Sequence, residues 1–205
     1  MSQLETEFDR WQQRFAAPGY LFGTAPNAFL KSQADRLQKG QRALAVADGE
    51  GRNGVFMAEQ GLDVLSVDFS PQAQAKARKL AAERGVTLQL EQADVVNWRW
   101  PAAAFDVVAA IFIQFATPPE REAIFAGIKR TLKPGGLLLM EGYGPKQLEY
   151  KTGGPPHLDR LYTREMLELA FGDFVSLAIV EHDSIIHEGS GHGGLSALID
   201  LVARK

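Results

Sequence analysis

A chain of 205 residues fits one α/β domain better than two, and a 45% hydrophobic content supplies a sizeable core. The absence of cysteine excludes a disulfide framework, a cysteine-based zinc site and a cysteine nucleophile, and it fits a reducing compartment. The net charge of −3, with Lys and Arg scattered among Asp and Glu, argues against a nucleic-acid partner.

Residues 1–14 are polar and charged, without the apolar run of a signal peptide, so a cytoplasmic protein is expected. No apolar stretch has the length needed to span a bilayer. Leu4, Phe8, Trp11 and Phe15 recur at helical spacing and predict a first helix ending at Pro18-Gly19. Pro26 suits a first helical turn, so a second helix is predicted from there to about Gln38. The apolar run Ala43 to Ala47 reads as a buried strand, followed by a helix over Asn53 to Gln60. Val64 to Val67 is the second strand. Ser70 and Pro71 then make a good N-cap and first helical residue for a helix running to Gly85. Val86 to Leu90, Phe105 to Phe112 and Leu137 to Met140 are the next strands. Between the last two lie a helix over Pro118 to Leu132 and a Pro134-Gly135-Gly136 turn. This alternation predicts a Rossmann-like three-layer sandwich around a mostly parallel seven-stranded sheet. After a helix at Thr163 to Phe171, the runs Val175 to Ile186 and Leu195 to Ala203 are separated only by the loop His187 to Gly194. No crossover helix fits there, so the two runs must form an antiparallel C-terminal hairpin.

Gly49, Gly51 and Gly54 spell G-x-G-x-x-G after the first strand, and Asp68 ends the second. A tight glycine turn lets a nucleotide-like ligand approach backbone N–H groups at a helix N-terminus, and an acid at that place accepts from ribose hydroxyls. With these pieces the sequence resembles the class I methyltransferases that use S-adenosylmethionine (SAM). The resemblance is carried by Val46 to Gly54, Val64 to Ser70, Gln92-Ala93-Asp94-Val95, Phe105 to Val108, Leu132 to Leu137 and the final hairpin. Tyr20 to Leu30, Gly51-Arg52-Asn53 and Gly153-Gly154-Pro155-Pro156 are similar to the small bacterial tellurite-resistance-type members. The resemblance implies one domain over 1–205, with residues 1–40 covering the cofactor and 41–205 forming the core.

It also implies roles. Ala47, Asp48, Gly49 and Gly51 would border the methionine part of SAM. Asp68 would hold the ribose, with Phe69 beside the adenine. Asp94 would accept from the adenine amino group, with Val95 packed nearby and Ile111 touching the cofactor. Tyr20 and Phe22 would form an aromatic wall, whereas Trp11 and Phe15 are expected to be ordinary helix packing. Many relatives have an acid at the place of Ala45 and a glycine at the place of Ala47; Asp48 is a substitute for the missing acid.

Ligands of such sheets bind beyond the carboxyl ends of the strands. The loops holding Tyr143 and His192 are therefore expected beside the acceptor, a small-molecule nucleophile, with His192, Tyr143, His187 and Glu188 as candidate bases. His187-Glu188-x-x-x-His192 misses the spacing of a zinc protease motif, so no metal is expected. Ile113-Gln114-Phe115 stands where nucleic-acid methyltransferases carry Asn/Asp-Pro-Pro-Tyr. Two other functions fit the same pattern: a catalytically silent SAM-binding module and an NAD-dependent oxidoreductase.

Overall fold

The computed structural model describes residues 3–205, with side chains from Phe8 onward; the predicted apolar role of Leu4 lies outside the described residues. The sheet has seven strands: β1 (Arg42–Val46), β2 (Asp63–Asp68), β3 (Gln89–Gln92), β4 (Phe105–Ile111), β5 (Leu132–Tyr143), β6 (Ser176–Glu188) and β7 (His192–Arg204). Their spatial order is β3-β2-β1-β4-β5-β7-β6. β1 to β5 run parallel, while β7 pairs antiparallel with both β5 and β6. β6 therefore points the same way as β1 to β5. The helices are α1 (Gln3–Ala16), α2 (Ala28–Ser32), α3 (Arg52–Glu59), α4 (Pro71–Glu83), α5 (Pro118–Thr131), α6 (Gln147–Tyr150) and α7 (Arg164–Phe171).

The central strands are apolar on both faces because both faces are covered. Leu44 and Val46 of β1 join Val108, Leu138, Ile124, Ile128 and Phe171 in one buried cluster. Ala43 and Ala45 point the other way, into a cluster with Val107, Leu139, Leu30 and Met57. Caps begin the helices where polar residues predict them. Ser70 accepts from the Ala73 N–H ahead of Pro71, and Thr117 and Glu120 form a reciprocal capping box. Among the described residues, no helix is long and apolar enough to cross a membrane.

The structure departs from the pattern at four places. The second helix is one turn, not three: Asn27 caps it by accepting from the Leu30 N–H, and the chain tightens into a 3-10 turn at Ala34–Arg36. β3 starts at Gln89 and not at Val86, because α4 claims the Val86 N–H. It donates to Ala81 C=O at 3.0 Å while Gly85, at φ 67°, donates to Ala82 C=O, a Schellman closure. The Pro134 to Gly136 turn lies inside β5 as an irregularity opposite Phe105 to Val107. The hairpin loop shrinks to Gly189-Ser190-Gly191, since pairing continues to Glu188 and His192. Tyr143 and His192 are thus strand-end residues, not loop residues.

Candidate active site

The carboxyl ends of β1, β2 and β4 open into a cleft lined on its outer side by Trp11 and Phe15 of α1 and by Phe22 of the segment after it. At its floor, Asp68 accepts from Gly49 N–H and from Ser70 N–H, both at 2.8 Å. The carboxylate thereby sets the glycine turn and keeps lone pairs for a ligand. Burial raises its pKa to about 6, against the pull of those two bonds.

Phe22, Ala47, Asp48, Gly49, Asp68, Phe69, Ile111 and His192 all line this cleft. Four other expected cofactor residues do not line it. Gly51 turns toward α4, where a Cβ would stand 2.6 Å from Ala77 Cβ. The Tyr20 hydroxyl donates to Lys76 C=O, and its ring packs against Val55, Leu80 and Ala81. Asp94 holds its own turn by accepting from Val96 N–H and Asn97 Nδ2. Val95 is buried, with its carbonyl accepting from Trp100 Nε1. Conversely, Trp11 and Phe15 do line the cleft, so the aromatic wall comes from α1 and Phe22. Trp11 and Phe15 are four residues apart on α1 and so share the helix face that meets the cleft.

Asp48 is not a free substitute for an acid at Ala45. Its carboxylate accepts from Gly54 N–H and from Ser66 Oγ at 2.8 Å, capping α3. Burial lifts its pKa to about 7.

Behind the aromatic wall lies a polar network that sequence patterns do not show, because directly bonded partners in it lie as far as 161 positions apart. Asn27 Nδ2 donates to Glu141 at 3.0 Å and to Glu188 at 3.1 Å. Glu188 also pairs with Arg52 at 2.7 Å and with His192 Nδ1 at 3.1 Å. Burial alone would raise the Glu188 pKa, but the bonds and charges of His192 and Arg52 bring it down to about 2. Burial holds His192 below its usual value despite Glu188. The imidazole is therefore neutral at pH 7, and an ionised Glu188 can only accept, so Nδ1 carries the proton and Nε2 a lone pair. The ring sits 4.4 Å from Phe22, 4.6 Å from Phe112 and 5.7 Å from Tyr143, centroid to centroid. Phe112 reaches it by a left-handed backbone, φ 54°, a conformation that costs about 1–2 kcal/mol in a non-glycine residue. His187, by contrast, is exposed on the edge strand and does not line the cleft. The N-terminal segment is anchored by Glu50, which accepts from Leu21 N–H at 2.6 Å and pairs with Lys76 at 2.7 Å.

Glu141 is buried opposite Asp200 on β7. Burial and the Asp200 charge push its pKa up to about 8, so it stays protonated at pH 7. The folded protein thus holds a proton that the unfolded chain releases near pH 4.5. This contribution to stability is complete below pH 4.5 and is lost as pH rises through 8; Asp48 and Asp68 act in the same direction. Glu141→Gln keeps an acceptor for Asn27. It is expected to flatten the decline between pH 5 and 8 and to add on the order of 2–4 kcal/mol at pH 8. Urea melts at pH 5, 7 and 8 check this; parallel curves for both proteins would exclude it.

The family described as "methyltransferase domain" matches residues 43–136, from β1 into β5. An uncharacterized protein of Mycobacterium tuberculosis is 33% identical over 115 residues, covering 56% of this chain and 41% of that protein. A demethylmenaquinone methyltransferase of Thermus thermophilus is 32% identical over 107 residues, covering 51% and 48%. The match thus spans less than half the length of these curated relatives. A solved SAM-dependent methyltransferase from Methanosarcina mazei superposes with a TM-score of 0.67 at 17% identity, over 88% of this chain and 98% of that one. Residues 43–136 thus match a methyltransferase-domain family, and the fold is the one seen in a solved SAM-dependent methyltransferase.

Proposed function

We propose that this protein transfers the methyl group of SAM to a small-molecule nucleophile, with the cofactor in the cleft floored by Gly49 and Asp68. One observation carries this: a buried carboxylate bridging the glycine turn and the start of α4, at the carboxyl edge of a parallel sheet. The donor set fits the cofactor. Asp68 has acceptor capacity for a ribose diol. Phe69 and Ile111 offer apolar surface for a purine, and the rings of Trp11 and Phe22 suit a sulfonium cation. Ala45 offers no charge to the amino-acid end, and the Asp48 carboxylate, which also lines the cleft, is already engaged by Gly54 and Ser66. When bound, SAM supplies a methyl carbon activated for in-line displacement.

The rest falls to the chain. α1 and Phe22 exclude water, and the walls orient the acceptor. His192 Nε2 takes a proton from an acceptor that arrives protonated, and Glu188 holds the imidazole in the tautomer that can do so. The buried Tyr143 hydroxyl acts as a donor, not a base, since burial raises its pKa further above the neutral range. The demethylmenaquinone methyltransferase among the relatives supports a small-molecule acceptor.

Asp68→Ala is expected to weaken SAM binding by about 1.5–3 kcal/mol, the scale of a hydrogen bond to a charged group. Calorimetric titration of both proteins with SAM decides it, and equal affinities would remove Asp68 from the site. An acceptor screen that follows S-adenosylhomocysteine release separates an enzyme from a silent binding module.

A further inference from the structure

A second cavity adjoins the cofactor cleft, and the two share Trp11, Phe112, Phe115 and His192. Tyr143, at the end of β5, lines the second cavity and not the first. Its ring stands 4.7 Å from Phe112 and 5.7 Å from His192, centroid to centroid, so the phenol and the imidazole share one wall.

Tyr143 is 1% exposed, and its hydroxyl is buried without a hydrogen-bond partner. The rest of the residue is held firmly. Gln114 grips its backbone at both groups: Nε2 donates to Tyr143 C=O at 2.9 Å, and Oε1 accepts from Tyr143 N–H. Gly153 and Gly154, at φ 134° and 81°, lie over the side chain. A Cβ on Gly154 would stand 2.8 Å from Tyr143 Cδ2, and one on Gly153 would stand 3.6 Å from the hydroxyl oxygen. A fold that fixes the phenol so closely yet leaves its donor unpaired bears a cost, and an acceptor from outside the chain removes it. The two glycines are the part of the wall that yields to such a group, since their backbone is the least restricted. The remaining wall is rich in flat surface, with Trp11, Phe112, Phe115, Pro155 and Pro156. Such walls with few polar groups suit a planar ring. His192 Nε2 takes a proton and Tyr143 gives a hydrogen bond, so the pair reads a ring that carries both a protic nucleophile and a second oxygen.

We propose that Tyr143 determines acceptor specificity: its hydroxyl donates to a second oxygen on an aromatic hydroxy compound whose nucleophilic hydroxyl lies at His192. This rests on the methyltransferase function proposed above. The phenol oxygen bonds to the methyl carbon as the carbon–sulfur bond of SAM breaks. The phenol proton passes to His192 Nε2, S-adenosylhomocysteine leaves, and Tyr143 keeps its own proton. The probes are catechol, resorcinol and hydroquinone, each matched with the cresol of the same ring position, in which a methyl replaces the second hydroxyl. Binding is measured by calorimetry with S-adenosylhomocysteine present, and methylation by mass spectrometry with SAM. At one ring position the dihydroxy compound is expected to bind about tenfold tighter than its cresol, the scale of one hydrogen bond and more than the roughly twofold that two equivalent hydroxyls give by statistics. Tyr143→Phe is expected to bring that pair to within about twofold. Its Tm should stay level or rise, because the variant removes a group with no partner in the fold. A merely structural tyrosine would leave the preference in place. Equal binding within every pair, no binding of any probe, an unchanged preference in Tyr143→Phe, or a Tm lower by several degrees in that variant would overturn the proposal. Failure to bind S-adenosylhomocysteine would instead overturn the methyltransferase function, while the same pairs titrated without it still decide whether Tyr143 reads the second oxygen.

Discussion

Glu188→Ala is expected to destabilise the protein by about 3–5 kcal/mol, the cost of removing one partner from a buried ion pair. Arg52 and Glu188 are 8% and 9% exposed, and Glu188 also accepts from Asn27 and His192. Its removal leaves a guanidinium, an amide and an imidazole without their shared acceptor. Glu188→Gln is milder and separates folding from chemistry. Arg52 and His192 share one Glu188 oxygen, so the amide oxygen of the variant serves both, while its nitrogen faces the Asn27 donor and cannot accept from it. Glu188 raises the His192 pKa, so its neutralisation should move the acid limb of the kcat/KM profile to lower pH. kcat should fall less than in Glu188→Ala, because the amide oxygen still accepts from Nδ1 and holds the tautomer. His192→Ala should lower kcat about 100-fold, the lower end of general-base catalysis, with SAM affinity little changed. Denaturant melts, SAM titrations and pH–rate profiles of the three variants check these outcomes. An unmoved acid limb in Glu188→Gln would assign Glu188 a purely structural role.

Gly51→Val is expected to strike the fold before it strikes the cofactor. Gly51 has φ 86°, a left-handed conformation that costs a side-chain-bearing residue about 1–2 kcal/mol. Its Cβ would also meet Ala77 Cβ at 2.6 Å and Ala77 Cα at 2.9 Å. The second contact is with backbone, so α4 must shift; such overpacking costs about 1–3 kcal/mol. The total, about 2–5 kcal/mol, corresponds to a drop in Tm of roughly 10 °C for a domain of this size. Loss of SAM binding should follow from the displaced turn. A variant with wild-type Tm and no SAM binding would show instead that Gly51 meets the ligand directly.

Much of the architecture could be read along the chain because it is locally encoded. The Ser70-Pro71 cap, the apolar run of β1 on a sheet covered on both faces, and the short loop that forces β6 and β7 antiparallel all depend on near neighbours. So does the glycine turn ending in reach of Asp68, since β1 and β2 are paired parallel neighbours. Local cues misled where a nearby backbone group competed. α4 took the Val86 N–H that β3 was expected to use, and Asn27 outcompeted Pro26 as the start of α2.

The distribution of side chains around the site was settled only by tertiary packing. Glycine spacing alone cannot tell that Gly49 faces the cleft while Gly51 faces Ala77, because that depends on where α4 docks. Likewise Tyr20 and Phe22 are two residues apart in an irregular segment, and their rings go to different places. The Asn27, Arg52, Glu141, Glu188 and His192 network joins five elements of the chain, and no periodicity links residues so far apart. Sequence determined the sheet, the glycine turn and the edge at which ligands meet it, because secondary-structure propensity acts over a few residues. Which buried charges face one another was decided by the folded packing, where desolvation makes every unpaired charge costly and so selects its partners.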